Sequence, residues 1–485
     1  MEEIDIKDVA RRSVRGVFAL TGRTFIVQLI GIATSFILTI FLNPSAFGVF
    51  FVVSAAIAFL SYFSDIGLAA ALIQKKEAVS EEDLKVTFTV QQLLVVTLVV
   101  IAFLASGSVG NFYNLNKEGV LLFQALAFSF FLSSLKTIPS IILERSLRFE
   151  KLVIPQIVET LFFSITVVTL AIAGFGITSF TFAVLARGIS GLLAIYIVSP
   201  WRIGFAYSSE VLKKLLSFGI PFQTNSILAL IKDDLLIVYL GKVLPLSEVG
   251  YIGFANKWAL VPLRLVMDNI IRITFPSFSR LQNQKDLLAK AVEKSIFAST
   301  FFIFPALTGL IILFPYLLNI IPRYTKWEPA FISLGFFAVN AVFSSVSTPL
   351  TNTLNAIGRI KITLYLMVFW TAATWVLTPL AVILLGFNGV AIVSAGISLS
   401  VVFVVFLVKK YIKFNLFPSI IFPILGSLVM GTILYLLSPV IANELLGFIL
   451  MILIGVMVYF LAMFAMARKQ VLEDIRLIKS HLLNR

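Results

Sequence analysis

Long apolar runs repeat along the whole chain, each bounded by a short polar segment or a glycine- or proline-containing turn. A helix needs about 20 apolar residues to cross a bilayer core. Fourteen runs fit that requirement: 17–42, 47–73, 86–106, 119–143, 153–173, 176–199, 215–240, 248–273, 295–318, 330–354, 361–384, 387–408, 415–438 and 445–466. The runs 215–240 and 248–273 are the least clear-cut, because both carry charges inside. Asn43-Pro44-Ser45 and Gly174-Phe175-Gly176 are typical of the turns between runs. The pattern predicts an all-α polytopic membrane protein with fourteen transmembrane helices. The first run is long enough to span and lacks a small-residue cleavage site after a short core, so no cleaved signal peptide is expected. In the tail, Val471, Ile475, Ile478 and Leu482 fall on one helical face, and the tail is expected to lie on the inner leaflet. The opening segment Glu2–Arg15 is expected to do the same.

Composition supports this class. Hydrophobic residues make up 59% of the 485 and charged residues 13%, at a mean hydropathy of +1.03. A water-soluble chain of this length cannot hide that much apolar surface, whereas a bilayer removes the need. There is no cysteine and a single histidine, His481, which argues against disulfides, thiolate metal sites and histidine acid–base chemistry. No cofactor or metal is expected. The net charge of +14 does not point to nucleic acid, because the cations sit in short clusters between apolar runs. Such clusters suit loops facing a cytoplasm and anionic lipid headgroups.

Those cations also set the orientation. With the N-terminus inside, the segments on the inner side hold 27 Lys and Arg, and the outer segments hold 4: Lys117, Lys242, Arg323 and Lys326. One missed span early in the chain would swap every later loop and destroy this asymmetry. Both termini are therefore expected in the cytoplasm, with the protein in the cytoplasmic (inner) membrane. No loop is long enough to fold as a catalytic domain, so the chain is not expected to be an enzyme.

The chain carries traces of a duplication. Ser45-Ala46-Phe47-Gly48-Val49 opens the second run and Ser247-Glu248-Val249-Gly250-Tyr251 opens the eighth. Ser133, Ser134 and Pro139 are answered by Ser344, Ser345 and Pro349, and Gly174-Phe175-Gly176 by Gly386-Phe387-Asn388-Gly389. Six runs per unit is an even number, so both copies keep one orientation, as in a parallel repeat. The expected organisation is a six-helix lobe over 1–214, a second over 215–410, and transmembrane helices 13 and 14 with a cytoplasmic amphipathic tail over 411–485. A pathway is expected between the lobes.

Several stretches then suggest a family. They are Asp65-Ile66-Gly67-Leu68 running on to Gln74-Lys75-Lys76, Asp233-Asp234-Leu235-Leu236-Ile237 with Leu240-Gly241, Phe275-Pro276-Ser277-Phe278-Ser279-Arg280-Leu281-Gln282, and Leu354-Asn355-Ala356-Ile357-Gly358-Arg359. In order and topology the chain resembles the polysaccharide-transport, Wzx-like branch of the MOP flippase superfamily, over nearly its whole length. It departs from that pattern at Asp234, where a neutral amide is expected, and at Lys232. The resemblance implies a flippase that moves undecaprenyl-diphosphate-linked oligosaccharide across the cytoplasmic membrane for surface polysaccharide assembly. It also implies a lipid-linked oligosaccharide substrate, with a polysaccharide polymerase and chain-length machinery as candidate partners.

Seven cations remain inside the runs: Arg23, Lys136, Arg187, Lys232, Lys257, Arg264 and Arg272. Five acids join them: Asp65, Glu159, Asp233, Asp234 and Asp268. Each costs roughly 2.5–3.5 kcal/mol at the centre of a lipid-exposed helix, so they must pair or line water. Residues equally far from a hairpin turn lie at similar depth. That matches Arg23 with Asp65 and Lys136 with Glu159 as ion pairs that join helices or close an inner gate. Arg187 has no matched acid. Asp268 is four residues from both Arg264 and Arg272 on one helix. Arg272 reads better as an interfacial cation reaching water, and Arg23 reads equally as one. Arg23, Arg187, Lys232, Lys257 and Arg264 are the candidate substrate-binding cations, because a diphosphate needs charge-assisted donors to replace its hydration. Asp65, Glu159, Asp233, Asp234 and Asp268 are the candidate gate or ion-coupling acids, with Na⁺, H⁺ or the membrane potential as the driving term. No phosphate-binding loop of the G-x-x-x-x-G-K-[ST] type is present. Pro221 and Pro262 are candidate hinges or fixed kinks. The competing readings are a lipid II flippase, which would share the cationic cavity, a cation-coupled drug antiporter, which would want an acidic one, and a membrane enzyme, which would want a long outer loop.

Overall fold

The computed structural model describes residues 6–75, 77–224 and 227–466. The expected amphipathic tail with His481, and the first residues of the chain, lie outside them. The described residues fold into helices and short turns, and the chain divides into two compact units, Met1–Gly250 and Tyr251–Arg485.

The first unit holds α1 (Ile6–Phe41), α2 (Pro44–Tyr62), α3 (Leu68–Gln74), α4 (Glu81–Phe112), α5 (Lys117–Ser134), α6 (Thr137–Arg145), α7 (Phe149–Ile172), α8 (Thr178–Val198), α9 (Ser209–Thr224) and α10 (Ile227–Val243). It ends in the first turn of α11 (Leu246–Leu281). The second unit continues α11 and adds α12 (Lys285–Ile320), a 3-10 turn (Tyr324–Ala330), α13 (Phe331–Ala356), α14 (Ile360–Leu385), α15 (Asn388–Ser398), α16 (Val401–Lys409), α17 (Leu416–Ile441) and α18 (Leu445–Met466). The backbone from Ile6 onward is already part of α1, so the opening segment is continuous with the first long helix rather than a separate surface helix. The lobe boundary is expected after residue 214; within the unit Met1–Gly250, α9 packs against α3 and α10 against α2.

Among the described residues, eleven helices are long and apolar enough to cross a membrane, and twelve if the bent pair α5–α6 is one span. Large apolar side chains face outward along them, among them Leu104, Ile197 and Leu446 at 81% exposure each. That surface suits lipid rather than water.

Sequence patterning missed the breaks in these helices. The run 47–73 is two helices, because Ile66 (φ 47°) and Gly67 (φ 75°) both adopt left-handed backbone, which an α-helix cannot continue through. The run 119–143 is α5 and α6, bent by 41°. The run 387–408 is α15 and α16, separated at Leu399 and Ser400. At the first and last of these breaks the few polar residues, Ser64 and Asp65 in one and Ser398 and Ser400 in the other, are flanked by apolar residues on both sides, so hydropathy passes over them.

Proline explains many of the polar contacts within the units. A proline inside a helix removes the N–H that would bond the carbonyl four residues earlier. At the break between α5 and α6, the Leu135 carbonyl at the end of α5 accepts the Tyr196 hydroxyl at 3.2 Å. Pro349 frees the Ser345 carbonyl, which accepts Ser299 Oγ at 2.9 Å. Pro305 frees the Phe301 carbonyl for Tyr459 Oη at 2.8 Å, and Pro423 frees the Ser419 carbonyl for Thr300 Oγ1 at 3.1 Å. In a bilayer no water satisfies such a carbonyl, so a hydroxyl from a neighbouring helix takes its place. Tyr459→Phe or Ser299→Ala is expected to lower stability by about 1–3 kcal/mol, the cost of an orphaned buried polar group. A detergent thermal melt reads this, with Ser277→Ala, an exposed serine bonded within its own helix, as the neutral control.

The first turns of α2 and α11 approach each other closely. A Cβ on Gly48 would overlap the Leu246 carbonyl, and a Cβ on Gly250 would overlap the Pro44 carbonyl. The expected duplication pairs Gly48 with Gly250 and Pro44 with Leu246. The first turns of α2 and α11 therefore meet reciprocally, each glycine against the other's starting carbonyl.

Candidate functional site

The break between α5 and α6 gathers polar groups from three neighbouring helices. From α4, Gln92 Nε2 donates to Ser134 Oγ at 3.0 Å and Gln91 Nε2 donates to Thr137 Oγ1 at 2.9 Å. From α8, Tyr196 reaches the Leu135 carbonyl, and just beyond α8 Ser199 Oγ donates to the Pro139 carbonyl at 3.2 Å. From α7, Glu159 takes the remaining side chain: Lys136 Nζ lies 2.6 Å from its Oε1. Each break residue from Ser134 to Thr137 is thus held by a side chain, which places the Lys136 ammonium by design of the backbone rather than by rotamer preference alone.

The Lys136–Glu159 pair is mostly but not fully buried, with side chains 14% and 13% exposed. Depth matching from sequence aligns these same two residues. Losing one partner would strand a buried charge, which costs more than the intact pair contributes. Glu159 rests against α8 at Gly191, where a Cβ would overlap its carboxylate. Four residues before that notch stands Arg187. Its Nε lies 3.6 Å from Glu159 Oε2, and its side chain is 59% exposed. Sequence matching leaves Arg187 without an acid; the structure gives it Glu159. The three residues carry a surplus of one positive charge, and the exposed member is the arginine.

The other expected site residues are placed differently. Arg23 and Asp65 do not form an ion pair within 4.0 Å. The Asp65 carboxylate accepts the Ala69 N–H at 3.1 and 3.2 Å, so it caps α3 across the break. The Arg23 Nε is buried without a hydrogen-bond partner among the described residues. Lys232 Nζ lies 3.7 Å from Asp233 Oδ1, and both are solvent-accessible, so the pair is screened and contributes little. Asp234 is half-buried on the same helix. In the second unit, Lys257 and Arg264 are exposed along α11 and Asp268 is half-buried there. The apolar side of α11, with Leu260, Leu263 and Met267, packs on Ile303 and Leu307 of α12 and on Ala338 and Ala341 of α13. Pro262 sits inside the uninterrupted α11, and the Pro221 side chain lies outside the described residues.

Sequence reasoning missed a second polar junction. Arg145, at the end of α6, donates to the carbonyls of Leu72, Ile73 and Lys75 at 2.6, 3.1 and 2.8 Å, and so closes the end of α3. Lys75 Nζ pairs with Asp83 at 2.6 Å, and Asp83 completes a capping box with Ser80 at the start of α4. The Ser80-x-x-Asp83 spacing was the available signal. The adjacent amides Gln91 and Gln92 inside an apolar run were another.

A chain of membrane-length helices, with a buried ion pair at a broken helix and an exposed arginine beside it, belongs to the class of multi-pass helical membrane transporters. Its fold matches solved structures of that class: the inward closed conformation of the lipid II flippase MurJ, at TM-score 0.76 and 16% identity over 93% of this chain and 99% of that one, and an inward-facing multidrug resistance MATE family transporter of the MOP superfamily, at TM-score 0.61 and 17% identity over 82% of this chain and 98% of that one. Residues 37–332 match the family described as polysaccharide biosynthesis protein, and the chain belongs to that family. It is similar to the lipopolysaccharide biosynthesis protein WzxC of Escherichia coli (strain K12), 25% identical over 72% of this chain and 70% of that protein. It is also similar to the succinoglycan biosynthesis transport protein ExoT of Rhizobium meliloti (strain 1021), 23% identical over 84% of this chain and 80% of that protein.

Proposed function

We propose that this protein is a flippase that carries undecaprenyl-diphosphate-linked oligosaccharide from the inner to the outer leaflet of the cytoplasmic membrane, by alternating access. The product would feed O-antigen, capsule or exopolysaccharide assembly. The observation that carries this reading is Arg187: a 59% exposed guanidinium anchored on a buried carboxylate within a membrane-length helix. A cation at that depth is costly unless it serves an anion or lines water. The names of the sequence relatives, which concern lipopolysaccharide and succinoglycan, favour an oligosaccharide cargo over lipid II.

Fourteen spans follow if α9 with α10, and α11, are added to the twelve apolar ones. α9 and α10 are each short, at 16 and 17 residues, and α10 and α11 carry Lys232, Asp233, Asp234, Lys257, Arg264 and Asp268. Helices facing an aqueous path are expected to read this way. Two six-helix repeats and two further helices, with both termini cytoplasmic, complete the arrangement. A diphosphate diester carries about two negative charges, and moving each outward gains roughly 2.3 kcal/mol per 100 mV. The membrane potential can therefore drive export, with Na⁺ or H⁺ coupling through Asp233, Asp234 or Glu159 as an additional route.

Cells lacking the protein are expected to lose surface polysaccharide and to accumulate lipid-linked oligosaccharide on the inner leaflet. Surface polysaccharide at normal levels, in cells without another flippase of this family, would refute the reading.

A further inference from the structure

The Glu159 carboxylate divides its two oxygens between two cations of different character. Oε1 holds the buried Lys136 ammonium at 2.6 Å, and Oε2 faces the Nε of the exposed Arg187 at 3.6 Å. A guanidinium has five N–H donors in a rigid planar fork. With Nε turned to Glu159, one terminal N–H shares that edge of the planar fork and the other three lie along its remaining edges. Among the described residues, those terminal nitrogens have no hydrogen-bond acceptor. Glu159 itself has little freedom, being fixed by Lys136 on one side and seated at the Gly191 notch on the other. Lys136 in turn is fixed by the broken helix. The order of rigidity therefore runs from backbone to lysine to glutamate to arginine.

We infer that Glu159 is the positioning residue for Arg187, aiming its terminal N–H groups at the diphosphate of the cargo, with the Lys136 pair and Gly191 as its supports. This inference rests on the reading of Arg187 as a cargo-binding cation. An arginine on a flexible arm must lose rotamer freedom each time it binds; one already oriented loses less. The competing account is that Glu159 only neutralises Lys136 and holds α7 to the α5–α6 break. The two accounts part on a charge exchange. Swapping Lys136 and Glu159 keeps an ion pair between the helices but turns a cation toward Arg187.

The test uses the full-length protein in proteoliposomes, with undecaprenyl-diphosphate oligosaccharide as the probe. Flipping is measured against probe density to separate apparent KM from kcat, and thermal stability is read in detergent. Lys136→Glu with Glu159→Lys is expected to recover most of the stability lost in either single variant, yet to keep an apparent KM about tenfold above wild type. Recovery of both stability and wild-type KM would overturn the inference. Should the exchanged protein fail to fold, the cycle of Glu159→Gln, Arg187→Gln and their combination decides. Strong non-additivity in KM is expected, with Glu159→Asp partly restoring it, and simple additivity overturns the inference. Arg187→Gln alone with an unchanged KM would instead remove Arg187 from cargo binding, which is a failure of the underlying reading and is seen separately.

Discussion

Arg187→Gln is expected to cut flipping of the lipid-linked oligosaccharide by about ten- to a hundredfold, while leaving normal amounts of folded protein in the membrane. Hydrogen bonds to charged groups contribute about 1.5–3 kcal/mol each, and about 1.4 kcal/mol is a factor of ten. The fold should tolerate the change, because Glu159 keeps its close partner Lys136 at 2.6 Å and loses only the looser one at 3.6 Å. Arg187→Lys should recover part of the activity, since an ammonium supplies the charge without the planar fork. The check is export per amount of membrane-inserted protein. Full export by Arg187→Gln at wild-type protein levels would remove the site from the account.

Gly67→Val is expected to be the most destabilising of the single glycine substitutions. Two costs coincide at this residue. Its φ of 75° lies in the left-handed region, which costs a branched residue about 1–2 kcal/mol. A Cβ there would also overlap the backbone of Gly219 on α9, and overpacking adds about 1–3 kcal/mol. Backbone cannot rotate away as a side chain can. Neighbouring bonds depend on the same approach: Tyr62 Oη donates to the Gln223 carbonyl, and Gln223 Nε2 donates to the Tyr62 carbonyl at 2.8 Å. Gly174→Val separates the two costs, because Gly174 has φ 86° but open space around it. Melting temperatures should fall clearly further for Gly67→Val than for Gly174→Val. Equal losses would mean that the close approach to α9 carries no weight.

Much of this was legible in the sequence, and the exceptions have physical reasons. Apolar runs announced most of the spans because lipid imposes length and hydropathy together. Lys136 and Glu159 were matched by counting outward from the turn at 147, since α5–α6 and α7 form one hairpin. The same count failed for Arg23 and Asp65. The left-handed backbone at Ile66 and Gly67 ends one helix and starts another, and Asp65 is used as the cap. Gly67 was visible, but glycine alone does not say that a helix breaks.

Arg187 was left unpaired for a different reason. Counting from the turn at Gly174–Gly176 points to residue 163, and Glu159 lies four residues away, about 6 Å along the axis. An arginine side chain covers that distance, so a tolerance of one helical turn would have found the contact. The bend between α5 and α6 left a trace in Pro139, which stands in the first turn of α6, where proline is tolerated. The hydroxyls that answer the proline-freed carbonyls carry no local signal at all, because each comes from a helix distant in sequence.

The proposed activity is movement of a diphosphate-linked oligosaccharide across a membrane. Purified protein in proteoliposomes carrying undecaprenyl-diphosphate oligosaccharide tests it, with the fraction reachable by an added glycosidase followed over time. Protein-dependent flipping is expected, quickened when the potential is positive on the side the headgroup moves to and cut at least about tenfold in Arg187→Gln. A rate no greater than that of protein-free vesicles, at either sign of the potential, would contradict it.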